Sequence, residues 1–272
     1  MAHTGTVIRE LSARMTAHVQ EGTDLALLVA ADLSVPVASE TLTVRAGRAA
    51  HPADEEITPT GNRMHLLRDL PAGPLEIRYE AEVSGDAPAP AVDPTDEATF
   101  LMPSRYCEVD EFSRIVPEVV GDAEGEEVVR RVVEWVAGAL RYVPGSSTVQ
   151  DSALSTYVSR QGVCRDYAHL TATLLRAAGV PARCASAYAP GLSPMDFHLV
   201  VEALVDGAWQ VVDATRLAPR RSMVRIASGY DAADTAFMTT LRGDVDFRTL
   251  EVLAIAQPEL PREDLDARVE LR

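Results

Sequence analysis

Hydrophobic and polar positions alternate through most of the first hundred residues. The stretch 7–19 reads as extended, 24–33 is a short apolar run, and 41–47 and 63–70 alternate. Over 75–83 the alternation is cleanest, with Leu75, Ile77, Tyr79, Ala81 and Val83 on one face. A period of two is the signature of a half-buried strand. Turn formers separate the runs: Pro36, Gly47, the Pro59–Asn62 cluster and the Pro71–Pro74 cluster. Short alternating strands at this spacing predict an antiparallel β-sandwich. The Pro- and Asp-rich stretch 84–97 then reads as a linker or long loop.

Beyond residue 100 the period lengthens. Over 124–140, Val128, Val132, Trp135, Val136 and Ala139 form one stripe behind acidic residues, the pattern of an amphipathic helix. A second helix is expected over 152–162, ending at Gly162. A third, over 164–179, is apolar on most sides and therefore buried, and is stopped by Gly179 and Pro181. Strand-like runs follow at 182–189, 198–205 and 208–215, with another at 249–256. The chain is thus expected to be α+β, with a β-sandwich domain over 1–99 and a mixed domain over 100–272.

The order of His, Asp and Gly in the later strands has a geometric consequence. Asp206-Gly207 between two apolar runs predicts a two-residue hairpin turn. With Val205 opposite Ala208, Val200 falls opposite Asp213 and His198 opposite Thr215. His198 and Val200 share a face because strand side chains repeat every two residues. His198 and Asp213 become diagonal neighbours, roughly 6–8 Å apart at Cβ, within reach of an imidazole–carboxylate hydrogen bond. Cys164 stands at the expected start of the buried helix, where amides and the helix dipole favour a thiolate. A nucleophilic Cys needs a base, and the base needs an orienting partner.

Composition narrows the field further. All 25 basic residues are Arg, against 41 acids, for a net charge of −16. With no Lys, the chain cannot be a P-loop enzyme, a protein kinase, or a Schiff-base or pyridoxal enzyme. GC-rich coding accounts for the absence, since Ala, Val, Pro and Arg are all abundant. The acidity is concentrated: residues 80–129 hold 14 acids and two Arg, whereas 160–225 hold eight Arg and five acids. A pI near 4.8 argues against nucleic acid as a partner. No apolar stretch reaches the length of a membrane span, and residues 1–10 carry no leader-like pattern, so a cytoplasmic protein is expected. Three Cys fit free thiols in a reducing compartment, with Cys107 and Cys184 as packing residues. Oligomeric state is left open.

The segments "GVCRDYAHLTATLLRAAGVPARCASAYAPGL" and "DFHLVVEALVDGAWQVVDATRLAPR" resemble the bacterial transglutaminase-like superfamily over about 105–240. The preceding β part and its junction "FLMPSRYCEVDE" resemble the β domain found before this core in some bacterial members. The resemblance implies a papain-like transglutaminase core, with helices packed on an antiparallel sheet, and a Cys164–His198–Asp213 triad. It implies acyl transfer from an amide or peptide, with hydrolysis favoured over transfer to an amine, and neither a metal nor an organic cofactor. A non-catalytic binding module that keeps the fold is the alternative. The Cys164 N–H and an upstream group would hold the oxyanion. Tyr142 is the first candidate, where relatives often carry an aromatic, and Gln150 and Gln161 compete with it. Asp166 matches a frequent acidic position and is a candidate for the helix start or the substrate. Arg216, Arg220, Arg221 and Arg225 follow Asp213 closely. Of these, Arg216 and Arg220 are the substrate-binding candidates on the expectation of a carboxylate- or phosphate-recognising rim. Two departures bear on the substrate surface: Leu199-Val200 replaces the family's Ala-Trp, and Cys184 stands where an aromatic is usual.

Overall fold

A computed structural model describes residues 7–272; the expectation for the first ten residues lies largely outside them. The first seven strands are β1 (Ile8–Val19), β2 (Thr23–Leu27), β3 (Val37–Ala46), β4 (Ala49–Ala50), β5 (Asp54–Ile57), β6 (Arg63–Leu70) and β7 (Gly73–Ser84). The helical stretch brings α1 (Asp96–Thr99), α2 (Val116–Val120), α3 (Glu126–Ala139), β8 (Arg141–Tyr142), α4 (Ala153–Ser159), β9 (Gln161–Gly162) and α5 (Cys164–Ala177). Then come β10 (Ala182–Tyr188), β11 (Phe197–Val205), β12 (Ala208–Val212), β13 (Val224–Gly229), α6 (Ala232–Thr235), β14 (Met238–Arg242) and β15 (Val245–Gln257).

Two antiparallel sheets, ordered β15-β1-β7-β3-β4 and β14-β2-β6-β5, form the sandwich. The alternation dictates the packing: Leu11, Ala13 and Met15 of β1 and Leu75, Ile77 and Tyr79 of β7 point inward. They meet Leu25, Leu27, Leu67 and Leu70 of the other sheet. The buried Tyr79 hydroxyl is satisfied on both sides, donating to Glu40 and accepting from the Ala31 N–H.

The division at residue 99 needs correction. The strand expected over 249–256 forms, but as part of β15, which pairs with β1 along its length, and β14 pairs with β2. The last two strands therefore belong to the sandwich, the part between β7 and β14 is an insertion, and the segment after β15 returns to pack on it. The apolar run 24–33 is a strand only to Leu27. Residues 28–32 then leave the sheet and tie the halves together. The Leu28 N–H donates to the Phe237 carbonyl and the Asp32 N–H to the Arg225 carbonyl, and the Val29 carbonyl accepts from the Tyr188 hydroxyl. A fully buried run has no periodicity to mark its end.

The inserted half is built on an antiparallel sheet, β12-β11-β10-β13. Leu199, Val201, Ala203 and Val205 of β11 pack with Val132 and Val136 of α3 and with Leu170 and Leu174 of α5. Val200 and Val211 pack instead with Val269 and Leu271 of the C-terminal segment. The hairpin register is the one that Asp206-Gly207 demands: Val205 pairs with Ala208 and Val201 with Val212. Both turn residues have positive φ, 52° and 75°, as a type I′ turn requires. Helix α4 stops at Ser159, three residues short of Gly162, because Arg160 takes the left-handed conformation.

Candidate active site

Cys164 opens α5 and is partly exposed. The short parallel pair β8–β9 sets Tyr142 beside Gly162, and the Val143 N–H donates to the Gly162 carbonyl at 3.0 Å. The start of the helix is fixed by Asp166, which is only 1% exposed. Its carboxylate accepts from the Val163 N–H at 2.8 Å and from Ser147 Oγ at 2.9 Å. This is half of a capping box, the third helical residue reaching back to the N-cap amide. Gly162 makes room for it, since a Cβ there would lie 2.5 Å from the Asp166 Cβ. Asp166 is thus a scaffold for Cys164, with both oxygens bonded inside the protein and no surface exposed to a substrate.

His198 and Asp213 meet at the open end of the hairpin, Asp213 one residue after and His198 three residues before the last pairing, Val201 with Val212. His198 Nε2 lies 2.8 Å from Asp213 Oδ2, with the two residues 1% and 6% exposed. Asp213 Oδ1 accepts from the Thr215 N–H at 2.9 Å and from its hydroxyl at 2.7 Å. Thr215 is the residue whose part was missed, although the Asp-Ala-Thr segment signals it. His198 Nδ1 is buried without a hydrogen-bond partner, and Cys164 is close enough to the ring to affect its ionisation. Burial alone depresses the imidazolium, but the Asp213 carboxylate and then the Cys164 sulfur outweigh it and push the ring up to about 10. Asp213, though buried, is held below the usual carboxylate range by His198 and Thr215.

Tyr142 is also brought to Cys164. Burial and then the Cys164 sulfur push its phenol up to about 12, while the Cys164 N–H partly opposes them. The Cys164 amide thus lies near the phenol oxygen, which brings two groups able to donate to an oxyanion close together. Gln161 lies in β9 opposite Arg141, and Gln150 lies on an exposed loop. Arg165, next to Cys164, is committed elsewhere: it donates to the Thr148 and Val149 carbonyls and stacks on Tyr106. The other histidine of α5, His169, is unsuited as a base. Burial drives it down to about 3, and its Nε2 accepts from the Ala232 N–H. Cys107 and Cys184 are both buried, and burial raises their thiols.

The Arg-rich stretch divides. Arg220, 7% exposed, holds Glu263 in an ion pair and donates to the carbonyls of Val211, Asp264 and Ala267. Arg225 makes two bonds to the buried Glu202 and one to the Leu271 carbonyl. Both clamp the C-terminal segment, so Arg220 is withdrawn as a substrate ligand. Arg216 and Arg221 are exposed. Arg216 lines a groove of about 620 Å³ between α3 and the C-terminal segment that reaches Asp213 but not Cys164. Among the described residues no three His, Cys, Asp or Glu side chains gather as a metal site, and no helix is long and apolar enough to cross a membrane.

A Cys at a helix start, a strand-end His and a following Asp, on helices packed over an antiparallel sheet, define a transglutaminase-like core. Residues 114–214 match the sequence profile of the transglutaminase-like superfamily. A candidate cysteine protease from Cytophaga hutchinsonii superposes with a TM-score of 0.87 at 28% identity, over 98% of this chain and 96% of that one. An uncharacterised protein of Mycobacterium leprae is 27% identical over 157 residues, 53% of this chain and 54% of its own. The chain thus spans about half the length of that curated relative. The segment 114–214 thus carries a transglutaminase-like core, and the fold of the chain as a whole is similar to that of the Cytophaga protein.

Proposed function

We propose that the protein is a cysteine-nucleophile acyl-transfer enzyme that hydrolyses an amide or peptide bond. Cys164 sulfur attacks the carbonyl carbon, and the oxyanion accepts from the Cys164 N–H and the Tyr142 hydroxyl. His198 takes the thiol proton at Nδ1 and returns it to the leaving amine, while Asp213 holds Nε2 and stabilises the imidazolium. Water, activated by the same imidazole, then releases the thioacyl group.

The observation that carries this reading is the buried His198–Asp213 contact at 2.8 Å through Nε2, which leaves Nδ1 without a partner. The likeness to a candidate cysteine protease over nearly the whole chain supports it. The test is turnover of a peptide and amide library, with and without an added amine. Cys164→Ala is expected to abolish turnover while leaving the fold intact; turnover retained by that variant would refute the mechanism. Product conjugated to the added amine, in place of free acid, would assign transfer instead of hydrolysis.

A further inference from the structure

Asp213 needs an anchor that its own turn does not supply. β12 is the edge strand of the inserted sheet, and its ladder with β11 ends at Val201–Val212, one residue before Asp213. An edge strand leaves a row of backbone groups without a neighbouring strand. Thr215 fixes the Asp213 carboxylate, but it lies in the same turn and moves with it. A groove of about 620 Å³ opens between the Gln210–Asp213 edge and α3, so the helix does not close over that edge.

The free edge of β12 is held instead by the end of the chain. The Val211 N–H donates to the Val269 carbonyl at 2.7 Å, and the Val211 carbonyl accepts from Arg220 Nη1 at 3.1 Å. Arg220 Nη2 donates to Glu263 Oε1 at 3.0 Å and to the Asp264 carbonyl at 2.6 Å, and the Arg220 N–H donates to Glu263 Oε2 at 2.7 Å. At the far end Arg225, paired with the buried Glu202 of β11, donates to the Leu271 carbonyl at 3.2 Å. Between these two anchors Val269 and Leu271 are buried with Val200 and Val211. Val200 lies two residues from His198, and Val211 two residues from Asp213. The segment therefore grips both strands close to the 2.8 Å contact between His198 and Asp213.

We infer that residues 263–271 brace the catalytic end of β12, and that Arg220 is a positioning residue that acts on Asp213 through Val211. This rests on the triad proposed above. Arg220→Met keeps an aliphatic stem and removes the guanidinium's bonds to Val211, Glu263, Asp264 and Ala267. Its kcat on a library substrate should fall about 10²-fold at nearly unchanged KM, the cost of a displacement on the order of 1 Å at a catalytic group. By NMR the titration of His198 should move down from about 10 towards its ordinary 6.5 as Asp213 loses its fixed place. Arg220→Lys restores a cation opposite Glu263 but not the fork that also reaches Val211. It should regain much of the Tm while kcat and the His198 titration stay low. Recovery of all three in Arg220→Lys overturns the inference. So does a lower Tm in Arg220→Met with kcat and the His198 titration unchanged, since the segment is then a structural clamp alone.

If Arg220→Met does not fold, Glu263→Gln is read in the same way, because it leaves Arg220 in place and loosens its hold. A lower kcat with a lowered His198 titration supports the brace, and wild-type values overturn it. Asp213→Asn separates the brace from the mechanism. If that variant changes neither kcat nor the His198 titration, the triad fails and the brace with it. If it changes both while the Arg220 and Glu263 variants change neither, only the brace is overturned.

Discussion

The Asp213→Asn variant tests the site most directly, because its effect can be worked out atom by atom. In the wild type, Oδ1 accepts from the Thr215 N–H and hydroxyl, and Oδ2 faces His198 Nε2 at 2.8 Å. The Thr215 N–H can only donate, so the new amide keeps its oxygen there and turns its NH2 towards His198. That group also only donates, so Nε2 becomes the acceptor and the ring proton moves to Nδ1, against Cys164. The base then presents the wrong tautomer. In a Ser-His-Asp triad that error lowers kcat by about 10⁴-fold. The charge is lost too. With Asp213 neutral, burial dominates, and His198 should fall from about 10 to near or below its ordinary 6.5. A fall of that size is on the order of 5 kcal/mol.

The assay is an NMR titration of His198, paired with denaturant unfolding across pH. The folded pKa of His198 is raised, so its stabilisation is full below 6.5 and fades as pH rises through about 10. The folded pKa of Asp213 is lowered, so its share is full above 3.8 and fades as pH falls through the lowered value. The stability gap between the two proteins should be widest between 3.8 and 6.5 and narrow towards pH 10. A variant whose His198 still titrates near 10 would refute the assignment of the shift to Asp213.

Other expectations follow from the same contacts. Gly162→Ala should expel the Asp166 carboxylate from its place under the helix, costing about 2 kcal/mol in thermal denaturation and slowing alkylation of Cys164; an unshifted Tm contradicts the close approach. Tyr142→Phe should lower kcat about 10²-fold with little change in KM or Tm, and an unchanged kcat moves the second oxyanion donor elsewhere. Glu202→Gln should cost about 3–5 kcal/mol in urea unfolding because it leaves Arg225 buried without its counter-charge. Adding Arg225→Met should recover much of that loss.

What could be read without coordinates was local. The turn at Asp206-Gly207 sets its own register, so the approach of His198 to Asp213 follows from counting residues across one hairpin. The start of α5 is equally local, with Gly162, Cys164 and Asp166 within five positions. The misreadings came from pairings distant in sequence. Nothing near Arg220 announces that its partner is Glu263, so a buried clamp and a solvated rim look alike in the one-dimensional pattern. β14 and β15 carry a strand's alternation but no mark of which sheet they join. Asp166 was ambiguous because only the missing Cβ of Gly162 reveals the space it fills.

The clasp between β1 and β15 also governs how the chain is made. Gln257 reaches back to Glu10 across 247 positions. During synthesis the first sheet therefore stays open along the whole of β1 until residue 257 has left the ribosome. The helices and hairpin of the inserted half, which contact near neighbours, can take shape while that edge waits, whereas the C-terminal segment held by Arg220 and Arg225 is added only after β15. Pairing at such sequence separation is slow. An unpaired twelve-residue edge invites association with other chains in the meantime. Nascent chains stopped short of β15 should thus be captured by chaperones far more readily than chains that include it.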